Sequence, residues 1–129
     1  MNAQDFWVSH ESTTEFKTDG LRKFFEYRDL GIKKATKGQV VAHIIRAIPS
    51  DHFEGKPHLH DTQFQMIYVM KGWIKFRYEG QPGEITLTPG SCAYQPPSLN
   101  HQEISHSDDL EMIEIVMPAD FGTRLVDKV

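Results

Sequence analysis

Residues 63–90 read QFQMIYVMKGWIKFRYEGQPGEITLTPG, and this stretch decides the fold class. Short runs rich in β-branched and aromatic residues alternate with turn residues at 71–72, 80–83 and 89–90. Within residues 74–78, apolar side chains alternate with Lys and Arg, which is the pattern of an antiparallel strand with one buried face. The stretch therefore predicts a β-meander.

Further strands are predicted on both sides of this meander. The runs are KFFEYRDL (23–30), VVAHIIRAI (40–48), SCAYQPP (91–97), HQEIS (101–105) and LEMIEIVMP (110–118). None of them has a sustained helical periodicity. About eight or more short strands in one small domain predict an all-β jelly-roll barrel or sandwich.

Residues 1–20 are polar and lack periodicity, so they predict an extended N-terminal arm, and residues 21–129 are left as a single barrel domain. Phe6, Trp7 and Phe16 are isolated large aromatics on this arm. Such side chains need a surface to cover. That surface belongs either to the chain's own barrel or to a second copy of the chain, with the arm exchanged between subunits.

The composition excludes several classes of protein. The chain has 129 residues with 14 Lys and Arg against 18 Asp and Glu, a formal charge of −4, which disfavours nucleic acid as a partner. No apolar run approaches the roughly 20 residues of a membrane span. The single cysteine, Cys92, cannot form an internal disulfide and is expected to be a small buried thiol. We therefore expect a cytoplasmic protein.

Histidine carries the chemistry of this sequence. His58 and His60 are two residues apart, so in an extended strand both imidazoles point to one face and can reach one metal ion. The motif alone is weak, because chance produces such pairs in a chain with seven histidines. His10, His52 and His106 lie among polar residues and are expected at surface or loop positions.

The residues around this pair have a specific order. They are His58, His60, Gln65 and Gly72 in a first block, followed by Gly90, Pro96 and His101 in a second. Both blocks resemble the two motifs of the cupin superfamily, and with the flanking strands the resemblance covers most of the chain. It implies a small double-stranded β-helix barrel in which His58, His60 and His101 bind a divalent metal.

The sequence departs from the cupin pattern at one ligand position. The family's usual glutamate ligand falls on Gln65, which offers a carbonyl oxygen but no charge. Gln65 either coordinates as a fourth ligand or hydrogen-bonds within the barrel while three histidines hold the metal. Ser98 and Ser105 also replace usual motif residues, and we expect these changes to affect loops rather than the fold.

The charge of the expected donor set indicates the ligand. Three neutral imidazoles and an amide leave a divalent ion at +2, so it should bind a small anionic or chelating molecule. Three-histidine sites resemble those of cupin-like iron dioxygenases, which implies iron, although Zn, Ni, Mn or Cu also suit imidazole. A Zn- or Ni-dependent isomerase or lyase and a non-catalytic binding or sensing cupin are the alternatives. His43 and Glu103 are candidate bases.

Strand alternation in residues 63–70 predicts an oligomer. If Gln65 points into the barrel, then Gln63, Ile67 and Val69 point inward with it. The outward set would be Phe64, Met66, Tyr68 and Met70. This apolar exterior favours a homodimer. Alternatively, the register is shifted by one residue, and the same side chains fill the space between two sheets.

Overall fold

The computed structural model describes residues 6–18, 24–49 and 55–129. Its strands are β1 (Phe25–Asp29), β2 (Val41–Ala47), β3 (His58–Asp61), β4 (Phe64–Lys71), β5 (Ile74–Tyr78), β6 (Ile85–Leu87), β7 (Cys92–Tyr94), β8 (His101–His106), β9 (Glu111–Met117) and β10 (Gly122–Leu125). A 3-10 turn, Glu11–Thr13, and one short helix, α1 (Ile32–Ala35), are the helical elements of these residues. Neither has the length and apolar character needed to cross a membrane.

The strands form two five-stranded antiparallel sheets. One has the order β1-β2-β9-β4-β7 and the other the order β10-β3-β8-β5-β6. Most neighbours in a sheet are distant in sequence, so the chain crosses repeatedly between the sheets, as in a jelly roll. The predicted all-β double-stranded β-helix is confirmed. Sequence reasoning missed β10, because Gly122–Leu125 has no alternating apolar pattern.

Strand β4 has the predicted register, with one exception. The inward-facing residues are Gln65, Ile67 and Val69, and the outward-facing residues are Phe64, Met66, Tyr68 and Met70. The prediction for Gln63 is wrong, because this residue precedes β4 in a turn and is exposed. Its backbone N–H donates to the Met117 carbonyl at 2.6 Å, but β4 begins at Phe64, so the alternation of the strand does not extend to Gln63.

The interior of the barrel has an apolar end. Its buried side chains include Phe24, Val69, Ile74 and Leu110, and Phe25 and Met112 continue this core to the wall of a cavity. Burying one such side chain contributes about 1.5–3 kcal/mol, so this core supplies much of the stability. Strand β4 extends from this core, at Val69, to the opposite end of the barrel, at Gln65. The second end holds the polar residues of the candidate site.

Two predictions about single residues are wrong. His106 was expected at the surface, but it is buried on β8 with its ring stacked on Phe24 at a centroid distance of 5.3 Å. Its polar sequence neighbours are misleading because the side chain faces the core. Cys92 was expected to be buried, but it is exposed, because β7 lies at a sheet edge and Cys92 pairs there with outward-facing Tyr68.

The described part of the arm, residues 6–18, packs on the chain's own barrel. The Trp7 indole N–H donates to the Leu30 carbonyl at 2.9 Å. Near the other end of the segment, Lys17 and Tyr27 exchange two backbone hydrogen bonds of 2.8 Å. His10 is exposed, as predicted. The described part of the arm thus has contacts on its own barrel, and exchange of the arm between subunits stays a prediction.

Candidate metal centre

Three buried histidines converge at the second end of the barrel. His58 and His60 lie on β3, and His101 lies on β8 directly opposite His58. One ring nitrogen from each of the three lies within 4.8 Å of the others. The structure therefore brings together the three histidines that the two sequence blocks singled out. His52 lies outside the described residues.

The Nδ1 atom of each imidazole has a hydrogen-bond partner, and in two of the three histidines this partner sets the tautomer. Nδ1 contacts the Lys56 carbonyl at 2.7 Å in His58, Thr123 Oγ1 at 2.9 Å in His60 and the Leu99 carbonyl at 3.0 Å in His101. A carbonyl only accepts, so Nδ1 of His58 and of His101 carries the proton and Nε2 carries the lone pair. Metal-binding histidines are usually oriented in this way. The donor set fits a divalent metal ion.

A cavity of about 940 Å³ adjoins the cluster. Its wall includes His60, Gln65, His101, Phe76 and Phe121 from the barrel. Residues 12–15 of the arm also line it, so the arm borders the cavity. Its size and mixture of apolar and polar groups suit a small molecule.

A second set of polar side chains lies along the wall of the cavity. Glu114, on β9, accepts hydrogen bonds from His43 Nε2 at 2.7 Å and from Gln65 Nε2 at 2.9 Å. The NH₂ group of Gln65 is therefore hydrogen-bonded within the barrel, which leaves its carbonyl oxygen open to either of the two arrangements that the sequence allows. His43 lines the cavity, as its alternation with Val41 and Ile45 predicts.

The pKa of Glu114 lies below its ordinary value. Burial by itself would raise this pKa, but the hydrogen bond and charge of His43, the hydrogen bond from Gln65 and the charge of His60 together outweigh it. Glu114 is therefore an ionised carboxylate at neutral pH. It supplies a negative charge near the three imidazoles, which contribute none themselves.

Three further polar side chains are buried in the barrel. Gln95 Nε2 donates to Tyr78 Oη at 2.8 Å, and burial raises the pKa of Tyr78, so this phenol stays protonated. Gln95 lines the cavity, and its backbone N–H donates to the backbone carbonyl of Gln65 at 2.9 Å. Glu103 also lines the cavity, on the same face of β8 as His101.

Sequence reasoning missed Glu114 and Gln95. A signal for Glu114 was present, because Met112, Glu114 and Val116 alternate along β9 and the two apolar members are fully buried. A glutamate in that position faces the barrel interior. No comparable signal marked Gln95, which lies just after the short edge strand β7.

The sequence of residues 45–117 matches the Cupin domain family, and the chain belongs to this family. The resemblance predicted from the two histidine blocks is thereby confirmed. No curated protein sequence matches the chain.

Solved structures with the same fold have several chemistries. The polyketide cyclase RemF from Streptomyces resistomycificus is 17% identical, with a TM-score of 0.76 over 96% of this chain and 87% of that one. A cupin-superfamily sugar phosphate isomerase from Silicibacter pomeroyi is 18% identical, with a TM-score of 0.69 over 90% and 79%. The Fe(II) form of HppE is 12% identical, with a TM-score of 0.63 over 88% and 62%. At these identities the similarity establishes the fold alone.

Proposed function

We propose that this cupin is a metal-dependent enzyme that acts on a small anionic, chelating molecule, and that its chemistry is of the non-haem iron dioxygenase type. The observation that carries the proposal is the convergence of three buried imidazoles within 4.8 Å beside a cavity of about 940 Å³. The proposed ligands are His58, His60 and His101, with Gln65 as a neutral fourth donor. The similarity of fold to the Fe(II) form of HppE is consistent with iron.

Charge selects the class of substrate. Neutral imidazoles and an amide leave a divalent ion with its full +2 charge, so an enolate, phenolate, carboxylate or thiolate should bind to it. Iron(II), when bound, would supply the capacity to react with dioxygen. The apolar side chains of the wall, including Phe76 and Phe121, would reduce the contact of a bound molecule with water.

A base near the metal would help the substrate to bind as an anion. His43 Nε2 donates to Glu114, so the lone pair of a neutral His43 is on Nδ1. That nitrogen would take a proton from the incoming enol, phenol, acid or thiol, and Glu114 would stabilise the resulting imidazolium. Glu103 is a second candidate for this role because it lines the same cavity.

The test begins with metal analysis of protein purified without a metal-binding tag. Anaerobic loading with iron(II) is followed by oxygen uptake with β-diketones, gentisate-like phenols and small thiols. We expect substrate-dependent uptake by the wild type and none by His101→Ala, with His10→Ala, at an exposed position, as the matched control. Iron binding without uptake on any substrate class would contradict the dioxygenase assignment.

A second candidate is a zinc- or nickel-dependent isomerase or lyase. The His43–Glu114 pair favours it, because such reactions need a proton acceptor close to a metal-bound anion. The isomerase and cyclase among the similar structures are compatible with this chemistry. Zn- or Ni-loaded protein would then exchange the acidic C–H of a β-diketone with D₂O, and His43→Asn would abolish the exchange. If the protein binds the β-diketone with either metal but catalyses no exchange, the result would support the non-catalytic binding or sensing role.

The homodimer and the cytoplasmic location stay predictions. Outward-facing Tyr68 and Met70 of β4 are 40% and 43% exposed, and Tyr94 beside them is 57% exposed. A second copy of the chain would cover this apolar surface. Sedimentation velocity should give a dimer for the wild type and a monomer for Tyr68→Glu/Met70→Glu, whereas a monomeric wild type would contradict the prediction.

A further inference from the structure

Three polar side chains form a row across the cavity side of the first sheet. His43 on β2 lies directly opposite Glu114 on β9, and Ile67 on β4 lies opposite Glu114 from the other side. Gln65, two residues from Ile67, is therefore the diagonal neighbour of Glu114. One carboxylate thus receives a hydrogen bond from each of the two neighbouring strands.

The chemistry of this row fixes the orientation of the Gln65 amide. A carboxylate only accepts hydrogen bonds, so the group that faces Glu114 Oε2 is the NH₂ group of Gln65. The carbonyl oxygen of Gln65 is then turned away from Glu114. Because Gln65 is only 2% exposed and its amide has a strong charged partner, this orientation is held firmly.

The same row explains why residue 65 is not the glutamate of the cupin pattern. The Gln65 side chain lies 2.9 Å from Glu114, so a glutamate at 65 would place two carboxylates in contact. Like charges at that distance disfavour each other strongly in a buried site. A glutamate at 65 and Glu114 would therefore not both be favourable as carboxylates. This chain has its carboxylate on β9, the strand next to β4, where the cupin pattern has its glutamate.

We propose that Glu114 is a positioning residue of the metal centre, which orients Gln65 so that its carbonyl oxygen faces the histidine cluster. The inference rests on the proposed metal-dependent function. Gln65, His60 and His101 line one cavity, so an oxygen turned away from Glu114 can face a cavity that the cluster also lines. The metal centre would then have four neutral donors and keep its +2 charge for an anionic substrate, with the compensating carboxylate in the surrounding wall.

Cobalt(II) binding, followed by its visible absorption spectrum, tests this role without any substrate. Glu114→Met removes the acceptor at similar side-chain length and should weaken Co²⁺ binding by about 10-fold and change the spectrum. Glu114→Gln keeps one acceptor for Gln65 and should restore most of the affinity. Glu111→Met, on the outward face of the same strand, is the matched control and should bind Co²⁺ as the wild type does.

A double-mutant cycle keeps the inference testable if Glu114→Met fails to fold. Gln65→Glu should tighten Co²⁺ binding in the Glu114→Gln background by about 10-fold more than in the wild type, because the carboxylate repulsion is then absent. An equal effect in both backgrounds would overturn the positioning role and leave the proposed function intact. A wild type that binds no Co²⁺ would contradict the proposed function and this inference together.

Discussion

His106 and His101 lie at the two ends of strand β8, and comparing them separates the two halves of the barrel interior. Both are buried, with 5% and 3% exposure. His106 packs against Phe24 and Phe25 in the apolar core. His101 instead lies beside His58, with the ring centroids 4.1 Å apart. The same residue type with the same burial is part of the packing at one end and part of a polar cluster at the other, so its neighbours decide its role.

The largest expected effect is on metal affinity, which should fall when His101 is replaced and stay unchanged when His106 is replaced. His101→Ala should weaken Co²⁺ or Zn²⁺ binding by at least about 100-fold, because it removes one of the three histidine donors. His106→Phe should leave that affinity unchanged, because residue 106 is in the apolar core. Calorimetric titration with each metal measures both. Equal losses in the two variants would mean that the comparison is wrong.

The apolar end should dominate the free energy of unfolding. Leu110→Ala removes a fully buried side chain and should cost about 2–5 kcal/mol, measured by urea unfolding of the metal-free protein. His58→Ala, at the polar end, is the comparison and should cost clearly less. A larger loss for His58→Ala would show that the histidine cluster supports the fold as well as the site.

Tyr78 should give the molecule an alkaline limit. Burial raises the pKa of Tyr78 above its ordinary value near 10, so above that pH the unfolded chain loses this proton while the folded chain retains it. Below about pH 10, Tyr78 does not make the free energy of unfolding depend on pH. Above about pH 10, that free energy falls by up to about 1.4 kcal/mol per pH unit, because unfolding releases the phenol proton. Urea unfolding between about pH 9 and about pH 11 should show a shallower loss for Tyr78→Phe. Identical slopes would contradict the prediction.

The smallest expected effect concerns the arm at the border of the cavity. A methyl group on Gly31 would overlap the Trp7 indole, whereas one on Gly38 would meet nothing within 4 Å. Both glycines have a positive φ, +81° and +89°, so Gly31→Ala and Gly38→Ala carry a similar backbone strain of about 1 kcal/mol. Trp7 fluorescence in a Trp73→Phe background should shift to the red only for Gly31→Ala. Equal spectra would mean that Trp7 does not rest on Gly31 in solution.

Local sequence patterns predicted much of the site, and the missed and wrong predictions have one cause in common. With Gln65 taken as inward-facing, alternation along β4 placed Ile67 and Val69 inside with it, and the two histidine blocks identified His58, His60 and His101. The partner of Gln65 was missed because Glu114 is 49 residues away in sequence and is brought close only by the β4–β9 pairing. Local polarity misplaced His106, because its neighbours in sequence do not report which side chains pack on it.

The sequence by itself determined the class of fold, the alternation along strands such as β5 and the three histidines, because side-chain periodicity and ligand spacing are properties of consecutive residues. Only the tertiary structure decided which carboxylate serves the site, how the Gln65 amide is turned and which buried histidine lies in the core. These depend on contacts between strands that are distant in the chain. A hydrogen bond across a sheet exists only once the register of that sheet is formed.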